Sequence, residues 1–327
     1  MTISSSYSPA IISLRTLEVT SEIESLLACY KPIGIIIMPY NIKNKEQLKS
    51  LCKKLRQFVP FLLIDQEGGQ VRRLKPPEFY DAKSMHYFGQ LYTLNPTETI
   101  EALILQTKRV ALDLLSCHIN VNCAPCLDLI YDHPEQEKHA ISYYDRSFSK
   151  DPQRVAKLGK IVCETFLSEG IIPVMKHIPG HGQSNGADPH LGICHVAGDI
   201  TQDIIPFVEN KADSRTWGMT NHVIYDKLDP SNPTAFSSVI VKYIRETIGF
   251  KNFLITDAID MGALNNTEFS QKVTKALSAG HDAILYCGSE FNEQAKLDKN
   301  SAAQAQLEKV RVILEAASSF RNIQLEP

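Results

Sequence analysis

No stretch of the chain approaches the roughly 18 consecutive apolar residues that a membrane span needs. Nor is there an excess of Lys and Arg: 34 basic against 37 acidic residues give a formal net charge of -3. The first absence excludes a transmembrane helix, and the second removes the basic field that binding to nucleic acid requires. Neither a membrane nor a nucleic acid is therefore an expected partner. A secretory signal is also lacking, because Met1 to Pro9 is Ser-rich, has no Lys or Arg, and is followed only by the short Ala10-Ile11-Ile12-Ser13-Leu14. The expected location is the cytoplasm. Eight cysteines are present, but no spacing among them repeats as a disulfide or zinc framework would. Cys123-Ala124-Pro125-Cys126 matches C-x-x-C, yet it has no second pair and no thioredoxin-like context, so it reads as core packing. No metal and no cofactor is expected. Repeats, low-complexity tracts and Gly/Ser/Pro-rich linkers are absent too. With 327 residues and 43% hydrophobic content the chain can bury a large core, and a single domain over residues 1–327 is expected.

What is present alternates. Short apolar or β-branched runs occur at Ala10–Leu14, Ile33–Met38, Phe61–Ile64, Ile119–Cys126, Ile171–Met175, Thr216–Thr220, Phe253–Thr256 and Ala283–Cys287. Between them lie segments with apolar residues at helical spacing, near 21–31, 44–58, 96–118, 151–169, 200–211, 238–248, 267–279 and 301–318. Asn44, Asp151, Ser237 and Thr267 suit helix N-caps, and Gly170, Gly249 and Gly280 suit helix ends. Eight strand-then-helix units predict an α/β fold of one kind, a single (β/α)8 TIM-type barrel.

In such a barrel catalytic groups belong at the strand ends that feed the βα loops. Five runs end in polar residues: Asp65-Gln66-Glu67-Gly68-Gly69 with Arg72-Arg73, Asp128, Lys176-His177, Asn221-His222, and Asp257. The densest cluster is Lys176-His177-Ile178-Pro179-Gly180-His181-Gly182, followed by Asp188 and His190. Polar groups at the end of a buried strand are costly unless a ligand uses them.

Taken in order and approximate spacing, Asp65-Gln66-Glu67-Gly68-Gly69 with Arg73, Arg146-Ser147-Phe148, Lys176-His177 with Pro179-Gly180-His181-Gly182, Asp188-Pro189-His190, and Thr256-Asp257-Ala258 with Met261 resemble the bacterial β-N-acetylglucosaminidases of glycoside hydrolase family 3. The resemblance covers nearly the whole chain and implies the same barrel. It also implies roles. Asp257 would be the nucleophile of a retaining exo-glycosidase, and His190 paired with Asp188 its acid/base, in place of a second carboxylate. Asp65, Arg73, Arg146, Lys176 and His177 would bind the terminal N-acetylglucosamine. The chemistry suits these residues: imidazole titrates near neutral pH, and carboxylates and cations together satisfy sugar hydroxyls. The implied partner is a small carbohydrate, the N-acetylglucosaminyl-anhydromuropeptide of cell-wall recycling, acted on by a monomer.

The chain departs from the family pattern in three places. The segment from Gly182 to Asp188 is one residue longer than usual, Pro189 stands between the dyad partners, and Tyr40 precedes Asn41 where an arginine is common. His181 and His222 could equally touch sugar or hold loop geometry. Asp260, three residues past Asp257, is set aside because Met261 fixes the alignment. The loop from Gly182 to Gly192 is expected to be mobile without ligand and to bring His190 to the glycosidic oxygen only on closing. Two other readings carry weight: a metallohydrolase using His177, His181, His190 and His195, and an inert barrel that only binds sugar.

Overall fold

The computed structural model describes residues 5–132, 139–185, 188–288, 299–320 and 322–325. Its centre is a barrel of parallel strands: β1 (Ser5–Ile12), β2 (Pro32–Ile37), β3 (Phe61–Ile64), β4 (Val121–Asn122), β5 (Ile172–Ile178), β6 (Trp217–Thr220), β7 (Leu254–Ala258) and β8 (Ala283–Leu285). Each pairs with the next, and β8 pairs back to β1 through Ala10↔Ile284 and Ile11↔Leu285, so the sheet closes. A ninth strand, β9 (Ile323–Leu325), runs antiparallel to the start of β1. The expected (β/α)8 barrel is the fold observed.

Strand pleating divides the core in two. Ile11, Leu63, Val174 and Ile255 point into the barrel and form an interior cluster. Ile12, Leu62, Met175 and Leu254 point outward and are covered by the surrounding helices. These are α1 (Ser21–Tyr30), α2 (Lys45–Leu55), α3 (Met85–Leu94), α4 (Pro96–Ser116), α5 (Pro152–Ser168), α6 (Ile205–Asn210), α7 (Ser238–Tyr243), α8 (Phe269–Ala279) and α9 (Lys299–Ser318). No helix among the described residues is long and apolar enough to cross a membrane. All eight cysteines are free thiols, and Cys29 on α1 is the exposed one.

The departures from expectation have local causes. Within the run Ile119–Cys126 only Val121–Asn122 is regular strand, because Pro125 has no N–H to give; beyond it the Ala124 and Pro125 carbonyls still accept from the Val174 and Lys176 N–H groups, and Cys126 forms an isolated bridge with Lys176. The helical segment expected near 200–211 begins only at Ile205, since Pro206 fits only a first turn. Asn44, Asp151 and Ser237 cap their helices as expected, but Thr267 does not: α8 starts after Glu268, with no side-chain cap. Helix α3 has no counterpart among the helical segments expected from the sequence. Ser84 Oγ caps it, and Gly89 lets it lie directly on the chain, because a Cβ there would stand 1.6 Å from the Phe148 carbonyl oxygen. That contact supports the Arg146-Ser147-Phe148 arm.

Candidate active site

A cavity of about 440 Å³ opens where the carboxyl ends of the barrel strands converge. All the residues expected in the site line it: Asp65, Arg73, Arg146, Lys176, His177, Asp188, His190 and Asp257. They arrive from β3, β5, β7 and the loops beyond them, so residues almost two hundred positions apart in sequence meet in one space.

One wall is an ion network. Lys176 is 2% exposed, and its Nζ lies 2.9 Å from Asp65 Oδ1 and 2.7 Å from Glu67 Oε1. Arg73 Nη2 donates to Asp65 Oδ2 at 2.9 Å. Arg146 grips Glu67 with both arms, Nε to Oε2 at 3.0 Å and Nη2 to Oε1 at 2.8 Å. Burial alone would push both carboxyls up, but Lys176 with Arg73 at Asp65, and Arg146 with Lys176 at Glu67, hold them below the usual carboxylate range. Burial likewise works against the Lys176 ammonium, and its two carboxylate partners outweigh it and raise its pKa. The short hairpin of Gln66–Gly68 with Val71–Arg72 sets this wall: Gln66 Oε1 accepts from the N–H groups of Arg73 and Leu74 at 2.9 Å.

Asp128, fully buried, orients the next residue. Its Oδ2 lies 2.6 Å from His177 Nδ1, and its Oδ1 accepts from the His181 N–H at 2.7 Å. Arg146 Nη2 lies 3.2 Å from His177 Nε2. A guanidinium can only donate, so the His177 proton sits on Nδ1, toward Asp128, and Nε2 is an acceptor. Asp128 and Glu67 stand in sequence motifs but are partners of other side chains, which spacing does not reveal.

Asp257 closes the opposite side. Its Oδ1 accepts from the Ala258 N–H at 2.7 Å, while Oδ2 faces His177 Nε2 at 3.9 Å, beyond hydrogen-bond reach. Burial pushes the Asp257 carboxyl up, and the imidazoles of His177, His222 and His190, with the Ala258 N–H, bring it below its ordinary value. Asp260 lies apart, its Oδ1 accepting from the Cys287 N–H at 3.0 Å. His222 is a holding residue: its Nε2 reaches the Ala258 carbonyl oxygen at 2.8 Å and braces the strand end that carries Asp257.

His190 and Asp188 share a hydrogen bond of 2.7 Å between Nδ1 and Oδ1, and the same oxygen accepts the His190 N–H at 2.9 Å. The ring is half exposed, at 55%. Partial burial lowers its pKa, but the bond and charge of Asp188 and the charge of Asp257 raise it above the ordinary imidazole value. Pro189 and His190 are docked on the chain that follows Asp257, their carbonyls accepting from Ala263 and Gly262 N–H at 2.9 and 3.1 Å. Gly262 permits it, since a Cβ there would stand 2.3 Å from the His190 oxygen. Tyr40, where an arginine is common, bonds Ser13 Oγ and the Cys287 carbonyl at 2.7 and 2.8 Å and lies outside the cavity lining.

The four histidines of the metal reading do not form one donor set, because His195 Nδ1 is engaged by Asp226 at 2.8 Å and His177 Nδ1 by Asp128. Among the described residues the one tight group of metal-type donors is Cys126, Asp128 and His177, already joined by hydrogen bonds through Asp128.

Residues 10–316 match the Glycosyl hydrolase family 3 N terminal domain. A beta-hexosaminidase of Hydrogenovibrio crunogenus is 33% identical over 268 residues, 78% of this chain and 71% of the relative. A glycoside hydrolase family 3 beta-N-acetylglucosaminidase from Paenibacillus superposes with a TM-score of 0.77 at 25% identity, covering 95% of this chain and 57% of that one. The NagZ of Neisseria gonorrhoeae, solved with N-trifluoroacetyl-D-glucosamine, has the same fold, with a TM-score of 0.76 at 22% identity over 96% of this chain and 98% of its own.

Proposed function

Since this chain belongs to glycosyl hydrolase family 3 and is a β-N-acetylhexosaminidase acting on carbohydrate, we propose that it is a retaining exo-enzyme that removes terminal N-acetylglucosamine from muropeptide fragments. The observation that carries this reading is the shared cavity: one free carboxylate oxygen, an imidazole–carboxylate dyad and an ion network face the same space. A volume of about 440 Å³ is near the low end of small-molecule sites, roughly 300–1,000 Å³, and suits one terminal sugar with its aglycone outside.

Asp257 Oδ2 attacks the anomeric carbon as the bond to the leaving oxygen breaks, and His190 passes its proton to that oxygen. Asp188 orients the imidazole and stabilises its charged form. In the second step His190 takes a proton from water, whose oxygen displaces Asp257. Asp65, Arg73, Arg146, Lys176 and His177 hold the sugar hydroxyls. Five groups so tightly paired offer fixed lone pairs and N–H bonds with little reorganisation. We take the chain to act as one cytoplasmic catalytic domain and as a monomer.

Two displacements at one carbon return the β configuration. Proton NMR of the first product from N-acetylglucosaminyl-anhydromuramyl peptide should show the β anomer before mutarotation. The α anomer first would end the double-displacement reading, and faster cleavage of chitobiose would move the substrate assignment away from muropeptides.

The pH profile of single-turnover glycosylation follows from the two shifted groups. Asp257 must be ionised, so the acid limb lies below about 4; His190 must be protonated, so the basic limb lies above about 6.5 and activity falls as pH rises through it. His190→Ala should erase the basic limb and slow poor leaving groups by about 10²–10⁴-fold while sparing activated aryl glycosides. A basic limb surviving in the variant, or equal losses on both substrates, would move the acid role elsewhere.

A further inference from the structure

Under the cavity, outside the groups given roles above, three buried side chains stand in a row: His139, Ser184 and His181, 0%, 0% and 3% exposed. His139 Nε2 is 3.0 Å from Ser184 Oγ, which is 3.3 Å from His181 Nδ1. We propose that these residues form a directional hydrogen-bond relay, in which His139 and Ser184 are positioning residues that hold His181 with its Nε2–H toward the cavity and pin the base of the loop bearing His190.

The direction follows from one donor that cannot reverse. The Ile141 N–H donates to His139 Nδ1 at 3.3 Å, so Nδ1 is bare and the proton of the neutral ring is on Nε2. That N–H donates to Ser184 Oγ. The Ser184 hydroxyl proton then has His181 Nδ1 as its acceptor, which places the His181 proton on Nε2, away from Ser184, on a residue that lines the cavity. Burial drives the His181 pKa down to about 4, so the ring is a neutral donor near pH 7. Its position is fixed from both sides: the ring stands edge-on to His139 and His177 at 5.3 and 5.8 Å, and its backbone N–H goes to the Asp128 carboxylate that orients His177.

The relay joins two arms of the site. His139 lies on the segment whose Ala140 and Ile141 carbonyls accept from Arg146 at 3.4 and 3.1 Å. Ser184 lies on the lengthened segment between Gly182 and Asp188, beside Gln183, which donates to Asp203 at 2.8 Å. A loop one residue longer has more conformations to lose on ordering, and a buried hydroxyl held between two rings restricts it at its root.

The test uses the full chain labelled with ¹⁵N-histidine. Long-range ¹H–¹⁵N spectra at pH 7, assigned with His139→Gln and His181→Gln, should show both rings as the Nε2–H tautomer. Ser184→Ala should convert the His181 signal to a tautomer mixture, and Ser184→Thr should restore it. An Nδ1–H tautomer at His181, or a spectrum unmoved by Ser184→Ala, would overturn the relay whatever the substrate. Its kinetic consequence rests on the function proposed above: Ser184→Ala should lose about tenfold in glycosylation by an unactivated disaccharide and less than about twofold with an aryl glycoside, with recovery in Ser184→Thr. Equal losses on both would overturn the positioning role. If the unaltered chain cleaves no β-N-acetylglucosaminide while the spectra are as stated, the relay stands and the reading of the site fails.

Discussion

Asp257→Ala is expected to lower kcat by about 10⁴–10⁶-fold, the loss typical of removing a nucleophile, with a melting temperature close to that of the unaltered chain. The folding half of this result follows from the contacts. Among the described residues the carboxylate accepts one hydrogen bond, from the N–H of the next residue, so truncation leaves no distant donor unpaired there. The activity half follows from comparing the acids of the site. Asp65 has Lys176 on one oxygen and Arg73 on the other; Glu67 has Arg146 on both; Asp260 accepts from Cys287. Among the described residues Asp257 Oδ2 accepts no hydrogen bond, and its lone pairs are available for attack. A fluorinated donor that accumulates the covalent intermediate, followed by peptide mass mapping, checks this directly. Label on Asp65, Glu67 or Asp260 would overturn the assignment.

Glu67→Ala should act oppositely, on the fold first. Its side chain is 1% exposed and serves two cations that are themselves 2% and 13% exposed, so deletion leaves the Arg146 guanidinium buried without its carboxylate and strips one of two partners from Lys176. Breaking a buried pair from one side costs about 3–5 kcal/mol. For a chain of 327 residues that lowers the melting temperature by about 4–8 °C. The sign with pH is set by the depressed Glu67 pKa: its contribution is complete above the unfolded carboxyl value of about 4.3 and is lost as pH falls through the lower folded value. The gap between variant and unaltered protein should therefore be full at neutral pH and narrow only in strong acid. Melting within about 1 °C of the unaltered chain at pH 7 would show that the network is not structural.

The barrel was legible because strands buried on both faces are short apolar runs, and the run ends carry charge where a site must be. Asp257 and Lys176-His177 could be placed from that rule alone. Glu67 could not: beside Asp65 and followed by glycines it reads as a polar turn, and its cations lie 79 and 109 positions away. The relay is hidden for the same reason, since Ser184 and His139 are 45 residues apart and each alone is an ordinary loop residue. Helix α3 is not legible in the sequence because Gly89 and the aromatics around it blur the apolar period, and only its packing on Phe148 explains the glycine. The overlong reading of β4 came from composition, which sees Cys126 as a strand residue but does not weigh the N–H that Pro125 lacks.

The distribution of thiols has a practical side. Seven of the eight sulfur atoms belong to buried residues, whereas Cys29 sits in the last turn of α1, next to the amino end of β2 and so on the face of the barrel opposite the cavity. A maleimide dye or a surface linker applied to the native chain would attach at that one point. The enzyme could then be immobilised in a single orientation, mouth outward, or watched one molecule at a time, without first engineering away any other cysteine.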